Sequence, residues 1–303
     1  MRTVLSSTLV AYASRPDFVF LTGDLGFMAL EPVQKAAGDR FINAGVAEQN
    51  MVTVAAGLAR AGLRPWVYSI APFVYARPFE QIRNDVCLHG LTVFLVGNGG
   101  GYGYGVMGAT HHAIEDYGAL LTLPHLRAYV PAFADDVTAA VERMNSAGGP
   151  AYLRLGRDEK PKELALPPYA PWRRLLAGGG PVMVIVGPLA GPILGALSAW
   201  PEAERPSVWV LAELPVQADT LPADFLADLQ RAGTLFVVEE HVAQGGAGQM
   251  LAHALLLRGA APARFIHRFA AGYPSGLYGS QVFHRRESGL DPDGIAAALQ
   301  AIR

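Results

Sequence analysis

The 303-residue sequence predicts an α/β protein of two doubly wound domains, on three observations. Strand-like and helix-like stretches alternate in two separate series, the pattern of parallel sheets covered by helices on both faces. Between the series lies a stretch crowded with charges, prolines and three consecutive glycines, which reads as a linker. Hydrophobic residues make up 51% of the chain and charged residues 17%, below the usual ~25%. The chain can therefore bury a large core and still present apolar surface to partners.

The first series opens with a strand over 18–21, β-branched and aromatic, that ends at Thr22-Gly23-Asp24. A short strand over 40–43 and a helix over 47–60, rich in Ala and Met, follow. A strand over 66–70, a helix over 79–88 and a buried strand over 91–96 come next, then a glycine-rich loop. A strand at 129–131, a helix over 135–145 and a strand over 152–155 complete the series. The second series comprises a strand over 182–186, a helix running to 200, strands over 207–211 and 235–239, a helix near 248–257, a strand over 265–269 and a last helix from 292. The expected division is a first domain at 1–160, a linker at 161–180 and a smaller second domain at 181–303.

Composition excludes several classes. Lys and Arg number 24 and Asp and Glu 26, a net charge of 24 − 26 = −2. That lacks the basic excess of a nucleic-acid binder. Polar residues interrupt the N-terminal stretch from Met1 to Thr8, which makes a poor secretory signal. No run of ~18 apolar residues is present to span a membrane. Cys87 is the only cysteine, so no internal disulfide forms and a reducing, cytoplasmic setting is expected.

The most informative stretch runs Arg40-Phe41-Ile42-Asn43-Ala44-Gly45-Val46-Ala47-Glu48-Gln49-Asn50-Met51 and on through Gly57 to Ala59. It reads as a strand, a tight glycine turn and a helix with one carboxylate in its first turn. The later turns are almost all small or apolar, which marks a helix buried all round. Glu48 is then an acid favoured by the helix dipole and disfavoured by desolvation. On this segment alone, a simple N-terminal helix glutamate is an equal reading.

This stretch resembles the pyrimidine-binding domain of thiamine-diphosphate enzymes of the transketolase type. Deoxyxylulose-phosphate synthases and the β chains of 2-oxo-acid dehydrogenases carry similar Gly-x-Ala-Glu-Gln segments. The resemblance continues through Arg77-Pro78-Phe79-Glu80-Gln81-Ile82-Arg83-Asn84, Gly108-Ala109-Thr110-His111-His112 and Tyr152-Leu153-Arg154-Leu155-Gly156-Arg157. It ends in Val238-Glu239-Glu240-His241 with Gly245-Gly246-Ala247-Gly248, similar to the family's C-terminal domain. It covers nearly the whole chain in family order.

The resemblance implies thiamine diphosphate as cofactor. Glu48 matches the acid that contacts the aminopyrimidine ring nitrogen and promotes deprotonation of the thiazolium carbon, chemistry the cofactor itself carries. Phe73 matches an aromatic stacked on the pyrimidine, with core packing as its alternative. Ile70 stands where transketolases often place a second aromatic. Asp24 resembles the acidic residue that faces the cofactor across the interface; the alternative is a turn-capping Asp. Gly23-Asp24 is not the diphosphate and metal motif, because Leu25 replaces its final glycine and Asn50 lies inside the helix. His111 resembles the histidine that touches substrate oxygens, a role suited to a side chain that titrates near neutrality. His112, Glu115 and Asp116 follow it, but no third well-placed ligand accompanies them, so no metal site is expected in this chain.

The motif that holds diphosphate and Mg2+ is absent, and in this family it lies in a preceding domain. The resemblance therefore implies a partner subunit carrying that pyrophosphate-binding half, in an α2β2 heterotetramer that acts on small-molecule substrates. The loop over 97–108 departs from the family, with Gly99 in place of a histidine and Met107 in place of an aspartate. Both usually hold a sugar-phosphate donor, so a 2-oxo acid such as pyruvate is the expected donor. Tyr102 and Tyr104 either line a reshaped pocket or pack the loop. Arg157 is a candidate for an anionic group, with Arg154 an equal contender and a linker ion pair the alternative. The implied function is transfer of a two-carbon ketol or acyl unit to an aldehyde or ketone by a split transketolase-like enzyme. The alternatives are a β subunit of a 2-oxo-acid decarboxylase or dehydrogenase, and a non-catalytic subunit that kept the fold.

Overall fold

The structure is a computed structural model and describes residues 1–302. The first half runs α1 Arg2–Tyr12, β1 Phe18–Thr22, α2 Glu31–Ala37, β2 Phe41–Asn43, α3 Glu48–Arg60, β3 Arg64–Ile70 and α4 Ala71–Tyr75. It continues with α5 Phe79–Gln81, which passes into a π-helical turn Ile82–Cys87, then β4 Phe94–Asn98, α6 Asp116–Leu120, β5 Arg127–Tyr129, α7 Val137–Ala147 and β6 Ala151–Leu155. The second half holds β7 Trp172–Leu176, β8 Val182–Val186, α8 Ala190–Leu197, β9 Ser207–Leu211, β10 Glu213–Leu214 and α9 Ala223–Ala232. Then come β11 Thr234–Glu239, α10 Ala247–Arg258, β12 Arg264–Arg268, α11 Gln281–Glu287 and α12 Pro292–Gln300. Among the described residues no helix is long and apolar enough to cross a membrane.

The strands form two sheets, ordered β10-β5-β6-β4-β3-β1-β2 and β12-β11-β8-β9-β7. Strand β1 explains the layering. All five of its residues are buried. Phe18 and Phe20 pack with α1 residues Leu5 and Leu9 on one face, while Val19 and Leu21 pack with α3 residues Met51 and Val52 on the other. Successive side chains point to opposite faces, so a strand covered on both sides must be apolar throughout.

Both sheets are mixed rather than purely parallel. β7 runs antiparallel to β9, and β10 crosses from the second half to pair antiparallel with β5. Each lies at an edge, where a short added strand satisfies backbone groups that would otherwise face water or another chain. β7 also lies inside the segment 161–180, which the sequence marks as linker. Helix α3 departs from the expectation of all-round burial. Glu48, Met51, Val52, Ala55 and Ala56 face inward, whereas Thr53, Val54, Gly57 and Arg60 are exposed.

The two halves share buried polar contacts. Glu239 accepts from the N–H groups of Ala247 and Gly248 at the start of α10 (2.8 Å each), from Tyr117 Oη–H, and is paired with His267 Nε2 at 2.6 Å. Glu240 reaches the first half, where its Oε1 accepts from the Tyr102 N–H at 2.8 Å. Gln281 and Arg285 also donate to Glu240. His241 Nε2 accepts from Gly118 N–H, and its ring stacks on Tyr117 at 4.0 Å. The acidic and glycine motifs of the second half thus act as a latch onto the first.

His112 and His284 are buried in the same junction, with ring centroids 4.9 Å apart and Tyr102 and Tyr273 packed beside them. Burial lowers both imidazoles below their ordinary value. Folded, they stay neutral; unfolded, they take up a proton below about 6.5, so the stability they contribute is present above that value and is lost as pH falls below it. Burial raises the Glu239 and Glu240 carboxyls. For Glu239 the His267 bond, and for Glu240 the Arg285 charge, lead the interactions that win, leaving both below the usual range. Their stabilisation is lost on further acidification. Urea midpoints should therefore fall steadily from about pH 7.5 to about pH 5.5, and a midpoint that rises over that interval would contradict the assignment.

Candidate active site

The carboxyl ends of β4, β3, β1 and β2 lie side by side in the first sheet, and ligands of open α/β sheets bind at such ends. The sequence candidates sit there. Asp24 follows β1, Asn43 ends β2, Ile70 and Phe73 follow along β3 into α4, and Tyr104 and His111 belong to the loop after β4.

Glu48 is the first residue of α3, 5% exposed, in the turn where helix N–H groups favour a negative charge. Gly45 (φ +69°) makes the sharp turn from β2 that aims α3 at the site. A side chain on Gly23 would press on the Gly45 carbonyl at 3.3 Å and touch the Glu48 Cγ at 3.9 Å, so the β1 turn packs closely on the β2 turn that leads into α3. Glu48 Oε1 accepts a hydrogen bond from Arg77 Nη1 at 2.7 Å. The Arg77 guanidinium carbon lies 3.7 Å from the centre of the Phe73 ring. His111 meets Phe73 edge-on at 5.2 Å and lies 5.9 Å from Tyr104. Its Nδ1 is bonded to Thr110 Oγ1 at 2.9 Å.

Asp24 is exposed, with φ +57°. Its N–H donates to Asn43 Oδ1, and its Oδ1 accepts from Asn43 Nδ2. This reciprocal pair fixes the carboxylate at the rim. Ile70 is half-buried at the entry to α4. Tyr104 accepts from Asn98 Nδ2 at 2.9 Å and covers the backbone of Gly99, where a side chain would collide with the ring. The loop therefore fills with a tyrosine the space a histidine at 99 would need.

Two expectations change. Tyr102 does not face a pocket. It is fully buried in the second half's core, with its hydroxyl donating to the Gly272 carbonyl at 2.8 Å. The glycines around it let the loop dive inward and carry the ring away from the surface. Arg154 is no anion holder either, because it is buried and spent on Asp116 and on the Ala113 and Glu240 carbonyls. Arg157 stays exposed beyond β6, and among the described residues no hydrogen bond ties it to Glu48, Phe73 or His111.

Arg77 and Asn43 received no role from sequence. The sequence signal for Arg77 is its spacing of four residues from Phe73, which places it in the turn just after α4. A cleft of about 1150 Å³ lies elsewhere, lined by His125, Arg127, Gly148, Trp172 and Pro215 among others. It contains none of these candidates.

Comparison with known proteins bears on the family and the fold. The family described as "Transketolase, pyrimidine binding domain" matches residues 1–162. 1-Deoxy-D-xylulose-5-phosphate synthase 2 of Geobacter sulfurreducens is 34% identical over 275 residues, covering 87% of this chain and 42% of that protein. A subunit of apulose-4-phosphate transketolase from Actinobacillus succinogenes is 30% identical over 271 residues, covering 88% of this chain and 86% of the subunit. The chain thus spans less than half of the synthase and most of the transketolase subunit. Among solved structures, one described as "Split gene transketolase, inactive beta4 tetramer" superposes with a TM-score of 0.80 at 29% identity, covering 99% of this chain and 96% of that one. Transketolase from Leishmania mexicana shares the fold, with a TM-score of 0.77 at 19% identity, covering 99% of this chain and 45% of that one. With more than half its length matched by the pyrimidine-binding domain, this chain belongs to the transketolase family.

Proposed function

We propose that the chain is the C-terminal subunit of a split transketolase-like enzyme that depends on thiamine diphosphate. It would transfer a two-carbon ketol or acyl unit to an aldehyde or ketone once a partner supplies the pyrophosphate-binding half. One observation carries the reading: Glu48 and Phe73 already hold a flat, nitrogen-bearing group between them, the Arg77 guanidinium. A slot between a buried carboxylate and an aromatic face fits an aminopyrimidine equally well. When bound, the cofactor supplies a carbon nucleophile for a substrate carbonyl.

The chain's residues divide the remaining work. Glu48 holds a proton against the ring nitrogen, Phe73 and Ile70 orient the ring, and Asp24 faces the partner at the rim. His111 stands beside Phe73 with Nε2 free of hydrogen bonds among the described residues, placed to exchange a proton with a substrate oxygen. Tyr104 narrows the pocket, and Arg157 meets an anionic substrate group. Met107, 54% exposed, offers no hydrogen bond to a sugar hydroxyl, which favours a 2-oxo acid donor over a ketose phosphate.

The partner reading has its own support. Phe27 and Met28 in the turn after β1 and Val46 in the turn after β2 are 75%, 93% and 75% exposed, large apolar side chains of the kind a partner covers. Mg2+ and the diphosphate belong to the partner in this reading, and the assembly is an α2β2 heterotetramer. The first domain spans 1–160, and the second begins with its edge strand β7 at Trp172 rather than at 181. A single, free and buried Cys87 supports a cytoplasmic setting.

Calorimetry tests the proposal. The isolated chain should bind thiamine diphosphate and Mg2+ weakly or not at all. The complex with its partner should bind it and melt higher in its presence, because a ligand that binds only the assembled state stabilises it. Tight, Mg2+-dependent binding by the isolated chain would overturn the split-site reading. Steady-state comparison of pyruvate with a ketose phosphate in the complex then decides the donor.

A further inference from the structure

We infer that Arg77 is a displaceable placeholder for the aminopyrimidine: its guanidinium occupies the slot in the cofactor-free chain, and the two exclude one another. This rests on the assignment of Glu48 and Phe73 to the cofactor.

The geometry leaves room for one flat group. At 3.7 Å from the ring centre, the guanidinium is in stacking contact with Phe73, and no second layer fits between. The same guanidinium uses Glu48 Oε1 at 2.7 Å. The two contacts proposed for the aminopyrimidine are therefore both made by Arg77. Guanidinium suits the part, being planar, delocalised, rich in donors and more weakly hydrated than an ammonium.

The placeholder also answers a physical need. Glu48 is buried, and Arg77 is its only hydrogen-bond and ion-pair partner among the described side chains. A buried charge without a partner is costly, so the empty slot needs a counter-ion. Arg77 can leave readily, because its side chain is 44% exposed and follows α4 in a turn rather than inside the helix. Departure exchanges a charged group for a neutral ring and frees Glu48 to hold a proton against it. The cofactor thus binds only the fraction of molecules in which Arg77 has swung out, and its apparent affinity is reduced by that fraction.

The alternative is a static Arg77 that positions Glu48 with or without cofactor. Titrating thiamine diphosphate and Mg2+ into the partner-bound complex separates the two. Arg77→Ala should tighten the apparent Kd about tenfold when the slot is nine-tenths occupied by arginine, and lower the melting temperature of the cofactor-free complex. Arg77→Lys, which keeps the charge but loses the plane, should bind the cofactor more tightly than wild type and melt between the two. Tighter binding coupled to lower cofactor-free stability is the signature of exchange; a positioning role would weaken binding in both variants. A complex carrying Arg77→Ala that assembles and binds no more tightly than wild type overturns the inference. If Arg77→Ala fails to assemble, an Arg77→Lys complex with wild-type or weaker affinity overturns it in the same way. A wild-type complex that assembles yet binds no cofactor removes the assignment of Glu48 and Phe73, and this inference falls with it.

Discussion

Replacing Glu48 by Gln in the assembled, cofactor-saturated complex is expected to lower turnover by about 10²–10⁴-fold, the usual loss when a positioned proton-transfer group is removed. The substitution keeps the shape, so α3 and its buried face of Met51, Val52, Ala55 and Ala56 remain packed. It also removes the charge that Arg77 pairs with, so the cofactor-free complex should not lose stability in proportion to activity. That separation makes the test informative. A variant that binds cofactor, melts normally and turns over slowly assigns the proton to Glu48. Near-normal turnover at saturating cofactor would show that another group holds it.

Much of the fold is legible because strands buried on both faces must be apolar throughout. The runs over 18–21, 182–186 and 207–211 announce β1, β8 and β9 almost to the residue. Helix α1 was hidden. Ser6, Ser7 and Thr8 break its apolar run, and only the spacing of Leu5 and Leu9, both fully buried, betrays the inward face. β10 has two residues, and β7 reads Trp-Arg-Arg-Leu-Leu inside a stretch whose prolines and glycines dominate its composition. Edge strands this short are set by the neighbour they cover, which no local pattern encodes.

The site is legible where residues cluster along the chain and obscure where they meet through space. Gly45 and Glu48 are three positions apart, and their turn-helix geometry follows from sequence. Tyr102 and Tyr104 look alike in a glycine loop, yet one is captured by Glu240, 138 residues away, and the other by Asn98. Only the packing of the second half against the first separates them. The same applies to Arg154 and Arg157, which sequence left as equals.

Those two arginines give the sharpest stability contrast in the chain. Arg154 Nε donates to Asp116 Oδ2 at 2.8 Å, with both side chains almost wholly out of water. Its Nη2 donates to the carbonyls of Ala113 and Glu240 at 2.8 and 2.9 Å, so one guanidinium ties β6 to α6 and to the second half. Tyr152 Oη–H shares the same Asp116 oxygen. Arg154→Met fills much of the volume but leaves Asp116 buried with a single neutral donor, and an uncompensated buried partner of this kind costs about 3–5 kcal/mol. Arg157→Ala removes an exposed side chain with no ion pair among the described residues and should change stability by less than about 0.5 kcal/mol. Adding Asp116→Leu to Arg154→Met should recover part of the loss, because removing both charges leaves none stranded. Urea unfolding of the four proteins, wild type included, measures all three differences. A cost below about 1 kcal/mol for Arg154→Met, the level of a surface pair, or no recovery in the double variant, would mean that Arg154 and Asp116 do not act as a buried charge pair.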